Sequence, residues 1–116
     1  MEAKDFAYKI TDLIFSKKGH EVKILDLRNL SSIADYFVIC SADSDTQVKA
    51  IADEIDKELS KQGFKCYHKE GLSALNWVLL DYFDVIVHIF KNESRRYYNL
   101  EKLWGDAPSL LVEDKA

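Results

Sequence analysis

The chain has 116 residues, 47% of them hydrophobic and 31% charged, with a formal net charge of −4. That is the size and apolar content of one ordinary domain, with enough core material to fold without metal or disulfide. The negative balance argues against a protein that grips nucleic acid chiefly through phosphates, and no run approaches the roughly 20 apolar residues that span a bilayer.

The start, Met1-Glu2-Ala3-Lys4-Asp5, is charged and runs straight into a helical pattern, so neither a signal nor a transit peptide is expected, and the expected compartment is the cytoplasm. Ala3, Phe6, Ala7, Ile10, Leu13 and Ile14 recur at helical spacing up to Lys17-Lys18-Gly19. Val22 to Leu27 reads as a strand, Asn29 to Ala34 as a loop. Tyr36-Phe37-Val38-Ile39-Cys40 is a short continuous apolar run, the pattern of a central strand buried on both faces. Ser44 with Gln47 has the spacing of a capping box, and Val48, Ile51, Ala52, Ile55 and Leu59 form the buried stripe of the helix it opens, which Gly63 ends. Phe64 to His68 reads as a third strand. Trp77–Tyr82 and Val85–Phe90 read as two more, joined as a hairpin through Phe83-Asp84. Asn92 is expected to cap a last helix through Trp104, and residues 109–116 to fray. The order implies one α/β (α+β) domain over 1–116, with a mixed sheet of about five strands flanked by helices.

Chemistry is harder to find. Asp43-Ser44-Asp45 is a D-x-D of the kind that chelates Mg²⁺, but Ser44 has a sufficient role as helix cap and acids at a helix start complement its dipole. His68-Lys69-Glu70 matches the H-x-E of zinc deaminases, yet the accompanying P-C-x-x-C is missing. Cys40 and Cys66 lie in apolar runs and read as buried free thiols. The four glycines are scattered singly, so there is no phosphate loop, and the histidines at 20, 68 and 88 lack ligand spacing. No enzyme, cofactor or metal is expected. His88 sits in a strand and reads as a hydrogen-bonded structural group. Lys91, Arg95, Arg96 and Lys102, interleaved with Tyr97 and Tyr98, form one basic-aromatic patch, which is either a solvated helix face or a peripheral contact with RNA.

Alternation places Trp77, Leu79 and Asp81 on one side of their strand and Val78, Leu80 and Tyr82 on the other. One side should pack on a helix. The other is either covered by a second helix or exposed as a patch of the Trp and Tyr residues that dominate binding interfaces.

The sequence resembles the ribosomal silencing factors, also called Iojap-like proteins. The resemblance rests on Ser31-Ser32-Ile33-Ala34-Asp35-Tyr36-Phe37-Val38-Ile39, Val48-Lys49-Ala50-Ile51-Ala52-Asp53, Trp77-Val78-Leu79-Leu80-Asp81-Tyr82, Asp84-Val85-Ile86-Val87-His88-Ile89-Phe90 and Tyr98-Asn99-Leu100-Glu101-Lys102-Leu103-Trp104. Phe83 departs from it, standing where the family usually turns with Gly, so a bulged or shifted hairpin is expected; Ala74-Leu75-Asn76 departs from a more polar lead-in. The resemblance implies a nucleotidyltransferase-like topology without its catalytic acids; the alternative is a nucleotidyltransferase-like enzyme working through Asp43-Ser44-Asp45. It implies binding to the large ribosomal subunit through its protein L-fourteen, a steric block on subunit joining and repression of translation when nutrients are scarce. The contact residues it points to are Glu70, Trp77, Asp81, Tyr82, Asp84 and His88. A homodimer is a further expectation, and no membrane partner is expected.

Overall fold

The computed structural model describes residues 1–115. In chain order it contains α1 (Ala3–Ser16), β1 (His20–Asp26), β2 (Tyr36–Ala42), α2 (Asp45–Lys61), β3 (His68–Glu70), β4 (Trp77–Asp81), β5 (Val85–Lys91), α3 (Asn92–Tyr98), α4 (Leu100–Leu103) and β6 (Ser109–Val112). The strands form one mixed sheet in the order β3-β4-β5-β2-β1-β6. Only β2 and β5 pair in parallel; every other neighbouring pair is antiparallel. The α+β class is as expected, with six strands instead of about five.

The extra strand lies where fraying was expected. Residues Ser109 to Val112 pair with β1 from Leu25↔Ser109 to Val22↔Val112, so backbone bonding holds this segment; position 116 of the same tail lies outside the described residues. The third strand is also displaced. Phe64 closes α2 instead of opening a strand, its N–H reaching the Leu59 carbonyl at 2.9 Å while Gly63 N–H reaches Ser60 at 3.0 Å. Those two bonds, with Gly63 at φ +86°, make a Schellman end whose apolar residue packs back on the core, here against Phe6 at 4.7 Å between ring centroids. The last expected helix breaks at Asn99, which adopts a left-handed φ of 47° between α3 and α4. Asn92 is the first residue of α3 and not its cap; its side chain donates to Asp43 at 2.8 Å.

α2 forms where its cap and stripe agree. Ser44 Oγ accepts the Gln47 N–H at 3.1 Å, and Gln47 Oε1 accepts the Asp43 N–H at 2.6 Å, one residue before the position a standard capping box serves. Gln47 Nε2 also donates to the Lys17 and Lys18 carbonyls, tying the start of α2 to the end of α1. The stripes of both helices are buried against one sheet face, onto which β2 sends Tyr36, Val38 and Cys40 and β5 sends Val85, Val87 and Ile89. Each such aliphatic side chain contributes roughly 1.5–3 kcal/mol by leaving water. All seven residues of β2 are buried, as a central strand covered on both faces requires.

The β4–β5 ladder runs from Trp77↔Phe90 to Asp81↔Ile86 with no register shift, so the bulge expected from the missing glycine is not there. Phe83 itself takes the left-handed conformation at φ 76°, and Asp84 N–H closes onto the Tyr82 carbonyl at 3.1 Å. Gly71, at φ +85°, turns the chain from β3 into β4 so closely that an added Cβ would lie 1.9 Å from the Trp77 carbonyl oxygen. Gly63 has the same conformation with nothing within 4 Å. Gly63→Ala is therefore predicted to cost about 1 kcal/mol from backbone strain alone, and Gly71→Ala more than about 2 kcal/mol, because the start of β4 must also move. Urea unfolding of the two variants checks this, and equal losses would contradict the packing argument.

Candidate functional site

The second sheet face carries Leu25, Leu27, Phe37, Ile39, Ile86, His88 and Phe90. Leu100, Trp104 and Ala107, from the chain after α3, cover it only in part. Towards β4 the cover runs out, and Trp77 and Leu79 remain half-buried. Strand register sets what shares this surface. Glu70 lies opposite Leu79, Leu79 opposite His88, and His88 beside Ile39, so one row crosses four strands on one face.

Trp77 is the pivot of this surface. Its ring stands 4.8 Å from Phe90 and 5.0 Å from Tyr98, and its Nε1–H donates to His88 Nδ1 at 3.1 Å. An indole nitrogen can only donate, so His88 Nδ1 must be unprotonated and the neutral ring carries its hydrogen on Nε2. That Nε2 is buried without a hydrogen-bond partner among the described residues, and burial pushes the His88 pKa down to about 4. At 3% exposure, with Phe37 packed edge-on at 4.5 Å, His88 orients Trp77 from below and is not itself a free contact group.

The carboxylates line the side of Trp77 away from α3. Asp81 stands two residues beyond Leu79 on the same strand face, roughly 13 Å from Trp77 at strand rise. One of its oxygens accepts the Phe83 N–H at 2.8 Å. Asp84 is exposed at the turn, and its carbonyl accepts the N–H groups of Asp35 and Tyr36, anchoring the 28–35 loop beside it. Glu70 is exposed and paired with His68 at 2.8 Å. Exposed Phe83 packs near Tyr67, with ring centroids 6.1 Å apart. Tyr82 does not join this group. It lies on the opposite sheet face, 7% exposed, with its ring 5.6 Å from Phe6, and burial raises its phenol above the usual range. The structure thus brings Glu70, Trp77, Asp81 and His88 to one face of the sheet, with Asp84 at the turn beyond Asp81, and leaves Tyr82 out. Sequence reasoning grouped Leu79 with Trp77 by alternation but missed Phe37 and Tyr98 as parts of the same cluster. Alternation along β2 was the available signal for Phe37.

The other sequence candidates are engaged internally. Asp43 accepts from Asn92 and from His20 at 2.9 Å, and those bonds, Asn92's first, hold its carboxyl below the usual range. Asp45 pairs with Lys91 at 2.7 Å. Cys40 is fully buried, which pushes its thiol up to about 12, whereas Cys66 is only partly buried, with Sγ 3.3 Å from the His68 carbonyl oxygen. Among the described residues no group of three or more His, Cys, Asp or Glu is placed to hold a metal ion, and no helix is long and apolar enough to cross a membrane.

The fold is an α+β domain with one sheet face closed at one end and open at the other, a fixed tryptophan at the boundary and carboxylates beyond it. The chain belongs to the ribosomal silencing factors, since the family described as "Ribosomal silencing factor during starvation" matches residues 1–116. It is 42% identical over 113 residues, 97% of each chain, to the ribosomal silencing factor RsfS of Halalkalibacterium halodurans. It is 48% identical over 92 residues, 79% of this chain and 78% of the relative, to the RsfS of Bacillus subtilis. A crystal structure of a protein from Chromobacterium violaceum, 30% identical, superposes with a TM-score of 0.88 over 100% of this chain and 97% of that one.

The buried neutral imidazole makes stability depend on pH. Its folded pKa of about 4 lies below the ordinary value of 6.5, so the unfolded chain binds more protons between these limits. Stability is complete above about pH 6.5 and falls as pH drops towards 4, by about 3 kcal/mol from this group. His88→Gln should remove that part of the slope, so urea unfolding of both proteins across the window measures it. Parallel pH profiles would show that His88 is not the titrating group.

Proposed function

We propose that the chain binds the large ribosomal subunit through its protein L-fourteen and, by occupying that surface, keeps the small subunit from joining, so that translation is repressed in nutrient-poor conditions. The observation that carries this reading is the half-open sheet face centred on Trp77 in a member of the ribosomal silencing factors. Trp77 is suited to be the anchor because the Trp77–His88 hydrogen bond and the Phe90 and Tyr98 rings hold it in one orientation before docking, so little side-chain freedom remains to be lost. Asp81, Asp84 and Glu70 give the rim beyond it a negative field that complements a basic ribosomal protein and speeds encounter. His88 acts here through Trp77. The block requires no chemical step: two macromolecules compete for one surface by mass action, and the cytoplasm is where they meet.

A homodimer is the second reading. β6 is an edge strand, and Leu110 and Leu111 on it are 48% and 58% exposed, which leaves a row of backbone groups and apolar side chains open to a second copy. Light scattering at rising concentration tests it, and a constant monomer mass rejects it.

Sedimentation of mixed ribosomal subunits with and without the protein decides the main proposal. Joined ribosomes should fall with increasing protein, and undiminished joining at saturation rejects the proposal. Trp77→Ala should weaken binding to large subunits by about 2 kcal/mol, roughly thirty-fold in Kd. Asp81→Lys with Asp84→Lys should mainly slow association, most at low salt.

A further inference from the structure

On the other side of Trp77 the surface changes sign. Tyr98 stacks beside Trp77, Tyr97 meets Tyr98 edge to face at 5.1 Å, and Tyr97 is 82% exposed. Arg96 and Lys102 are exposed on the same α3–α4 segment, and neither is ion-paired among the described residues. The acids that dilute this patch in the sequence are not equivalent in the structure. Glu101 accepts from both Lys23 and Arg95 at 3.0 Å, so its charge is already met by two cations. Glu93 and Glu21 remain exposed there.

A crevice of about 280 Å³ opens beside Arg96, lined also by Glu21, Ser41, Asn92, Arg95, Asn99 and Glu101. It lies at the carboxyl ends of the parallel strands β2 and β5, which hand the chain to helices on opposite sheet faces, the position where sheets with parallel strands collect ligands. Its floor is rigid: the 7%-exposed Arg95 is fixed by Glu101, by Ser41 at 2.9 Å and by the Glu21 carbonyl. Asn92 Oδ1 is buried there with no hydrogen-bond partner among the described residues. The surface therefore offers cationic donors a few residues from exposed aromatic faces. A simple anion would satisfy the first and leave the second uncovered. RNA supplies both at once: phosphate oxygens for the cations and base faces for tyrosine.

We infer that the α3–α4 surface, through Arg96, Lys102, Tyr97 and the Asn92 crevice, contacts an unpaired segment of ribosomal RNA next to the protein that Trp77 engages. The inference rests on the ribosomal reading above and gives the interface two halves, an acidic one for protein and a basic-aromatic one for RNA, with Trp77 at the seam. With Glu93 and Glu21 nearby the RNA half is small, limited to one or two phosphates.

The test compares two targets, intact large subunits and isolated ribosomal protein L-fourteen, each titrated over a range of salt. The wild-type protein should show the steeper salt dependence on subunits. Changing Arg96→Gln and Lys102→Gln together should lower that slope by about 1.4, two phosphate contacts at roughly 0.7 each for single strands. Tyr97→Ser should weaken subunit binding about tenfold by loss of base stacking. Neither change should alter binding to the isolated protein, and both replace exposed side chains, so unchanged melting temperatures are the control. Equal wild-type slopes on the two targets, or variants that lose affinity equally for both or for neither, overturn the RNA contact while leaving the protein contact standing. A wild-type protein that binds neither target overturns both.

Discussion

The parallel pairing of β2 with β5 governs the rest of the molecule. A parallel pair at the centre of a sheet must be shielded on both faces, because its strands are apolar on both. α1 and α2, with 14 and 17 residues, bury one face over β1, β2, β4 and β5. For the other face the chain has only the seven residues of α3, the four of α4 and the turn through Trp104 to Ala107. That is enough to seal the sheet over β1, β2 and part of β5 but not over β4. The open remainder is where Trp77 and Leu79 lie. The surface proposed for docking is the part of the sheet that α3, α4 and the turn after them leave uncovered.

Burying polar groups next to that opening imposes order on it. Arg95 is held by three partners from separate parts of the chain, and its loss would leave Glu101 and the Ser41 hydroxyl short of a partner in a confined space. His88 is neutral because it is dry, and because it is neutral its Nδ1 can hold Trp77 in place. Its Nε2–H, unfilled among the described residues, is the cost of that arrangement, tolerated where Nδ1 fixes the geometry of Trp77.

Elements whose local signals agree were legible from the sequence. α2 has a cap, a stripe and a terminal glycine that concur, and β2 has an unbroken apolar run, so both appear where expected. Phe64 was misplaced because an apolar residue after Gly63 fits both a strand and the close of a Schellman end. β6 is four residues long beside Pro108 and pairs with a strand more than eighty positions earlier, a partnership no local pattern announces. Asn99 broke a helix by adopting a conformation that only a few residue types tolerate. At the site, alternation had already separated Tyr82 from Trp77, and the structure sides with alternation against the set drawn from family resemblance. Arg95 had no readable signal, since a buried arginine is defined by the distant groups that meet it.

Trp77 and Trp104 are the chain's two tryptophans, and both lie on the partly covered face, with none in the core beneath α1 and α2. The tryptophan emission of the native protein therefore originates entirely on the side where docking is proposed. The indole of Trp77 is half-buried, bonded to an imidazole and packed against Phe90 and Tyr98, so its spectrum is set by solvent access and by those neighbours. The fold thus carries its own optical label on the surface of interest, and no dye or added residue is needed to follow it.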